Sequence, residues 1–463
     1  MKSKVHRLRS VCLITVLLFW SPCRAVAGSA SESSTAYVGT IAHRFIAGFE
    51  DVTFEGGYVL DSHDRKNAQG YFRVLHGLQW NLHPKWELQL GARARGYYVY
   101  GAREGDDTDI RYHESYFRYR APDRRITLGA QIVRWGRLDF ASPTDQFAVQ
   151  DLTRGPISGR SGEYLAVPAI RWEEYFGYNK LDVLWLTHFV SAQLPGEASP
   201  WYPIDRERGR LLGIPHEQEL DEYLAVSTVD DRSPEGQAGG AAMRLSRDGP
   251  DVDWAVTAQR VRNPQPYFEI DPSLQGLLPD DLEPQDVVDA GDDRETFRAV
   301  HPWTTVLGAD VCWAQEQGTW RLEAAWLSDM PVTTWDFAYS TTPAVLWAMA
   351  WEFFPDSWDA RIQLQLNSRH HLRGRNIVER NTKLGFSGDL DCFLDRQRWR
   401  IRLQYVIGIT DHELYLHPEL ARLMARHGEW YLGAHIFSGK AGTLGGLYRN
   451  NDLIVAGWRR RFR

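Results

Sequence analysis

The chain has 463 residues, 43% of them hydrophobic, 24% charged and 13% aromatic, with 4 cysteines and a formal net charge of −7. This composition excludes a disordered, collagen-like or disulfide-rich protein. A negative mean hydropathy argues against a bundle of membrane helices, each of which needs about 18 or more apolar residues in a row. It does not argue against a membrane β-barrel, where only every second residue faces lipid.

The N-terminus reads as a targeting segment. Lys2, Lys4, Arg7 and Arg9 precede the apolar stretch Val11 to Trp20, and Ala25-Val26-Ala27 offers a small-x-small cleavage site. That order is the one of a secretory signal peptide, here 1–27, and the apolar run is too short to span a membrane. Removing it takes away five basic residues and no acid, so the remaining 28–463 carries −12. So acidic a chain speaks against nucleic acid as a partner. Cys12 and Cys23 leave with the segment. Cys312 and Cys392 stay, in a compartment that permits disulfides, and are read as unpaired thiols on separate strands.

Beyond the leader, period two dominates. Phe72, Val74, Leu78, Trp80 and Leu82 form one stripe, His83-Pro84-Lys85 a tight connection, and Trp86, Leu88, Leu90, Ala92, Ala94, Tyr98 and Tyr100 a second stripe opposed by Glu87, Gln89, Arg93 and Arg95. A helix would mix these two sets, whereas a strand separates them. The pattern returns at Trp320–Trp326, Ile362–Leu366, Trp399–Tyr405 and Leu453–Phe462. Short connections near 83–85, 121–124, 177–180, 247–251, 315–318, 355–357, 393–398 and 420–428 alternate with longer ones near 61–70, 101–109, 137–163, 191–237, 263–300, 330–342, 369–379 and 439–450, and with a brief one near 408–411. This is the layout of an all-β, transmembrane antiparallel up-and-down barrel with short periplasmic turns and long extracellular loops. Eight short turns and one closure give about 18 strands, with 16 as the alternative count. Trp86, Trp172, Trp303, Trp320, Trp351, Trp399 and Trp430 fall at predicted strand ends, as an aromatic girdle requires. The soluble alternative is a secreted β-sandwich or carbohydrate-binding protein; so many long strands without a helix fit a sandwich poorly and a closed barrel well.

Several short pieces carry a resemblance. Asp109 to Arg120 reads DIRYHESYFRYR, Leu128 to Gly136 reads LGAQIVRWG, and Ser142-Pro143-Thr144-Asp145 and Asp151-Leu152-Thr153 follow; Val252-Asp253-Trp254, Leu307 to Asp310, Phe437-Ser438-Gly439 and Asn451-Asp452 come later in the same order. Together they resemble an uncharacterised family of Gram-negative outer-membrane barrels, a domain of unknown function similar in turn to alginate-export and porin-type barrels. The resemblance spans nearly all of 28–463. It departs at Ala130-Gln131, where the family has Arg-Gln, and at Arg460 and Arg463 of the terminal strand, whose final aromatic otherwise resembles the signal that barrel-insertion machinery reads. It implies an outer-membrane location and transport, and names no substrate.

Charged residues on the lipid face cost about 2–4 kcal/mol at the midplane, so alternation assigns them to the lumen. The pore-lining candidates are Arg93, Arg95, Arg118, Arg120, Arg171, Arg321, Arg361, Arg400 and Arg402. With Lys383, and against Glu87, Glu114, Glu173, Asp253, Asp310, Glu323 and Asp389, they give the lumen a small positive excess. Guanidinium groups offer paired donors to carboxylate, sulfate or phosphate, so such a lumen favours a small or amphipathic anionic solute; the competing structural role is cross-strand pairing. The long loop around Trp135-Gly136, which also holds Asp139 and Arg154, supplies the constriction candidates Trp135, Gly136, Asp145 and Asp151 for narrowing the barrel, with an ordinary outside loop as the alternative. The 263–300 loop has ten acids against Arg294 between Glu269 and Glu295, without a calcium-loop spacing, and reads as a solvated loop. His370-His371 alone is weak evidence for a metal. No catalytic motif is present, so the expectation is no enzyme, no cofactor and no metal. The expected function is a porin-like channel or export barrel; the alternative is a closed barrel serving as a surface-binding or envelope-assembly scaffold through its long loops. Expected partners are outer-membrane lipid, the insertion machinery, an unknown solute and periplasmic transport components.

Overall fold

The computed structural model describes residues 47–60, 67–100, 105–158, 163–196, 199–205, 210–212, 229–230, 233–234, 236–270, 296–336, 338–425 and 428–462. The leader segment 1–27 and most of the acidic 263–300 loop lie outside these residues. The chain divides into Met1–Ala47 and Gly48–Arg463, and the second unit is the barrel.

Eighteen wall strands run antiparallel in chain order: β1 (Phe49–Val59), β2 (Asn67–His83), β3 (Trp86–Tyr100), β4 (Gly105–Tyr112 continued by Ser115–Arg120), β5 (Arg124–Gln131), β6 (Val167–Phe176), β7 (Asn179–Leu186), β8 (Gly240–Arg247), β9 (Val252–Arg262), β10 (Trp303–Gln315), β11 (Gly318–Thr333), β12 (Tyr339–Phe353), β13 (Ala360–His371), β14 (Thr382–Leu394), β15 (Trp399–Gly408), β16 (Glu413–Met424), β17 (Gly428–Ser438) and β18 (Leu453–Arg461). Each pairs with its neighbours, and β1 pairs with β18 from Asp51↔Arg461 to Val59↔Leu453, closing the cylinder. Closure leaves no open sheet edge, the condition for strands to sit in lipid, where no water satisfies the backbone. The expected count of 18 and the alternation of short and long connections both hold.

The outward parity is apolar: Leu90, Ile110, Ile170, Trp185, Met243, Val256, Leu307, Trp326, Leu420, Leu432 and Ile454 are exposed on the outer wall. At the short-turn end a row of stacked rings crosses β10, β11 and β12, with Trp313–Trp320, Trp320–Trp351 and Trp351–Phe353 centroids 6.0, 5.4 and 4.1 Å apart. Trp86 stacks on Phe117 at 4.7 Å at the same end. Trp303 differs in position: it opens β10 at the long-loop end.

The inward parity departs from a simple polar lining. Charges fill most of it, but Leu184, Leu186, Ala242 and Val261 on β7–β9 and Leu453 and Val455 on β18 also point inward and are buried. Inward apolar positions need apolar contents, and the connections that enter the barrel supply them.

Candidate functional site

The connection between β5 and β6 folds into the barrel over its described residues 132–158 and 163–166. Its root is apolar: Val133, Trp135, Phe147, Val149 and Leu165 pack on Val167, Ala169, Leu184, Leu186, Ala242 and Val261 of the inner wall. Trp135 meets Phe147 edge-on at 4.9 Å, and its Nε1 donates to Asp182 at 3.1 Å. Gly136 is required by space, since a Cβ there would fall 1.9 Å from Ser142 Oγ.

The tip of this segment is held by one carboxylate. Glu323, buried on β11, accepts from the backbone N–H of Leu138 at 2.9 Å, from Thr144 Oγ1 at 2.9 Å, from Ser142 Oγ, and from the backbone N–H groups of Arg137 and Thr144. A buried carboxylate is stable only where donors surround it, and here a turn of loop wraps it. Around this anchor Gln259 Nε2 donates to Thr144 O at 2.7 Å, Gln365 Nε2 donates to Phe140 O, and Arg137 pairs with Asp310, itself bound by Arg244. Arg134 pairs with Asp145 at 3.2 Å. Burial outweighs that pair and pushes the Asp145 carboxyl up to about 6.

The second half of the loop crosses to the opposite wall. Asp151 pairs with Arg93 and accepts from Thr153 N and Oγ1 at 3.0 and 2.6 Å. Arg154 pairs with Glu55 of β1 and lies 4.2 Å over the Tyr71 ring. A second inward segment, from the β7–β8 connection, runs beside it: Leu152 N donates to Gln193 O at 2.7 Å, and Gln193 reaches Arg93 and Asp109. That segment ends in Trp201, wholly buried among Phe437, Tyr448, Tyr97, Tyr431 and Ile157. Tyr448 Oη donates to Trp201 O at 2.8 Å, and Asn451 Nδ2 to Pro200 O at 2.6 Å. Gly155, at φ +53, brings the loop backbone against Trp201, where a Cβ would lie 2.8 Å from the Trp201 Cβ. An aromatic seal therefore closes this part of the lumen.

Beneath the seal lies a cavity of about 1070 Å³, walled by β1, β2 and β15–β18, roofed by Tyr71, Ile157 and Tyr431, and reaching Arg396–Arg398, Ala425 and Gly428 at the short-turn end. Its lining includes ten arginines and five carboxylates. Arg400 and Arg459 share Glu419 and Glu429, with Arg400 Nη2 at 3.1 and 2.8 Å from them. Arg402 pairs with Asp391 at 2.6 Å and Arg73 with Asp51 at 2.8 Å. His417 and His435 stack face to face, 4.0 Å apart, on the same wall. At the mouth, Asp395, Arg396 and Gln397 all adopt left-handed backbone (φ 48, 54 and 63), which turns Arg396 and Arg398 to the cavity.

Of the nine pore-lining candidates, Arg400 and Arg402 line this cavity and the other seven do not. All nine are ion-paired. Arg93 is held by Asp151, Arg95 by Asp107, Arg118 and Arg120 by Glu87, Arg171 by Asp182, and Arg321 and Arg361 by Glu352. The small positive excess expected of the lumen was counted without Asp182, Glu352, Asp391, Glu419 and Glu429 of the inward wall, and in the cavity the arginines outnumber the carboxylates. Arg73 and Arg459 were missed, although inward parity on β2 and β18 marks both; Arg154 was placed in the long loop, with nothing local to mark its partner Glu55. Trp135, Gly136, Asp145 and Asp151 all lie on the inward segment. His370 and His371 point to opposite faces, His370 to Thr382 at 2.7 Å and His371 inward, so they do not converge on one ligand. Cys312 and Cys392 are free thiols on β10 and β14.

The fold and the loop-filled, charged lumen define a membrane-spanning β-barrel of porin-like architecture. No family model matches the chain, and no curated protein does. Among solved structures it is similar to OccK8 (OprE) of Pseudomonas aeruginosa (7% identity, 90% of this chain and 98% of that one, TM-score 0.46) and OccAB2 of Acinetobacter baumannii (6%, 90% and 98%, 0.46). It is also similar to Salmonella typhi OmpF, in a complex with daunomycin (8%, 90% and 99%, 0.41). Nothing about solute follows from likeness at this level.

Proposed function

We propose that the chain is an outer-membrane channel that admits an anionic solute into the arginine-rich cavity from the periplasmic end, with the two inward segments and the Trp201 seal controlling onward passage. The observation that carries this reading is the excess of ten arginines over five carboxylates in a cavity open at the short-turn end. Guanidinium groups already bridged by carboxylates still present a positive field, and a low-dielectric wall focuses it on the space between them. The short-turn end is taken as periplasmic because both ends of the wall, Phe49 and Arg461, lie there, and with it go insertion through the terminal strand and a solute delivered from the periplasm.

The filled lumen also supports the second reading, a closed barrel working as a scaffold through its loops. Planar-bilayer recording separates the two. The channel reading expects discrete conductance steps and, under a salt gradient, a reversal potential on the anion side. Absence of conductance at both polarities would overturn it in favour of the scaffold.

A further inference from the structure

The outer wall carries a feature that neither reading uses. Outward parity on β9 places Arg260 and Arg262 on the lipid-facing side at the long-loop end, opposite Thr305 and Trp303 of β10 in the register. Among the described wall strands they are the arginines that face outward at that end. Charge on this face is unfavourable unless something at the boundary compensates it. Compensation from the protein is slight: Arg260 Nη1 donates to Thr305 Oγ1 at 3.1 Å, and its nearest carboxylate, Asp329, stands 3.8 Å away with both side chains substantially exposed. Arg262 reaches Gln237 and the carbonyl of His301. Both guanidinium groups gather over the Trp303 ring, at 5.8 and 4.9 Å from its centroid.

The row directly beneath is apolar. In register, Met243, Ala258, Leu307 and Trp326 lie side by side across β8–β11, and Met243, Leu307 and Trp326 are exposed on the outer wall. Val256 continues the strip, four residues or about 13 Å below Arg260. Two arginines and an indole above, with an apolar track running down the membrane, is the outline of one amphiphile: an anionic head over acyl chains. Phosphate suits the head, because a guanidinium gives it paired donors, and Trp303 at the water boundary fits the level of a head group.

We infer that the outer wall of β8–β11 holds a phosphate-bearing lipid of the leaflet at the long-loop end, with Arg260 and Arg262 on its phosphate and Met243, Leu307 and Trp326 along its chains. The inference is independent of whether the barrel conducts.

Native mass spectrometry of the detergent-purified barrel tests it, with dioleoyl phosphatidic acid as the probe, dioleoyl phosphatidylcholine as the matched neutral lipid and inorganic phosphate as competitor. Expected is a retained phosphatidic acid adduct that phosphatidylcholine does not give and that millimolar inorganic phosphate does not displace. Arg260→Gln with Arg262→Gln should reduce it about tenfold. Arg124→Gln with Arg422→Gln, at the opposite end of the wall, should leave it unchanged. Should the first pair fail to give the heat-modifiable folded band, Arg260→Gln alone, an exposed side chain, should still cut the adduct several-fold. An adduct that survives these changes, equal binding of phosphatidylcholine, or displacement by inorganic phosphate would overturn the inference.

Discussion

The two halves of the lumen solve the same problem in opposite ways. Along β6–β9 the long-loop end of the inner wall is apolar, and the root of the segment between β5 and β6 is packed onto it through Trp135, Phe147 and Val149. Along β15–β18 and β1–β2 the inner wall is a ladder of guanidinium and carboxylate groups facing an open cavity. The first half resembles a domain core turned inside a barrel; the second resembles a solvated pore. One barrel can hold both because alternation constrains the lipid face far more tightly than the lumen, which asks only that its contents match its wall. The difference separates roles: the packed half positions the segments, and the cavity half is where the proposed anion would be held.

Breaking the aromatic seal above the cavity should have the largest effect. Trp201→Ala removes a buried indole from the aromatic cluster, a loss of about 3–5 kcal/mol. The barrel, held by its wall, should keep its heat-modifiable band while single-channel current rises several-fold; Trp185→Ala, on the lipid face, should change neither. Next comes the anchor. Glu323→Gln leaves one acceptor oxygen where two served five donors, an expected cost of about 1–3 kcal/mol. Limited proteolysis should then cut within 132–166 while the wild-type segment stays protected. If both forms are cut alike, Glu323 is not what holds the tip.

A smaller change sharpens the cavity half. Arg400→Glu with Arg402→Glu reverses two cavity charges, and the reversal potential under a salt gradient should move toward cation preference by tens of millivolts; Arg118→Glu, outside the cavity, should move it far less. The smallest effect concerns pH. The Asp145 carboxyl is raised to about 6 from an ordinary 3.8, so the folded segment favours the neutral acid. Its docking is strongest below pH about 4, weakens as pH rises through 6, and is level above that. Asp145→Asn should flatten this part of the protease-protection profile, and a persisting slope between pH 4 and 6 would assign it to another group.

The wall was legible in the sequence because lipid and backbone impose it: Trp86–Tyr100 alternates in the letters as it does in space, and the turns at 83–85 and 177–178 fall where expected. The inward faces of Arg93, Arg171 and Arg361 were legible by the same parity. Their partners were not, since Asp151, Asp182 and Glu352 lie on other strands or on a loop whose destination alternation does not encode. One local signal of that destination exists. In Val183-Leu184-Trp185-Leu186 both faces of β7 are apolar, so something apolar had to lie inside. Trp201 left no comparable trace, because Phe437 and Tyr448 meet it across more than half of the chain.

The pairing of β1 with β18 has a consequence for closure. A single-chain cylinder has one seam that joins its first strand to its last, and here that seam runs from Asp51 and Arg461 to Val59 and Leu453. The contents of the lumen grip both sides of it. Arg154 holds Glu55 on one flank, while Pro200 and Trp201 are bound by Asn451 and Tyr448 just before the other. The inward segments hang from strands well before the seam in sequence, so contacts made inside the lumen tie both of its flanks together.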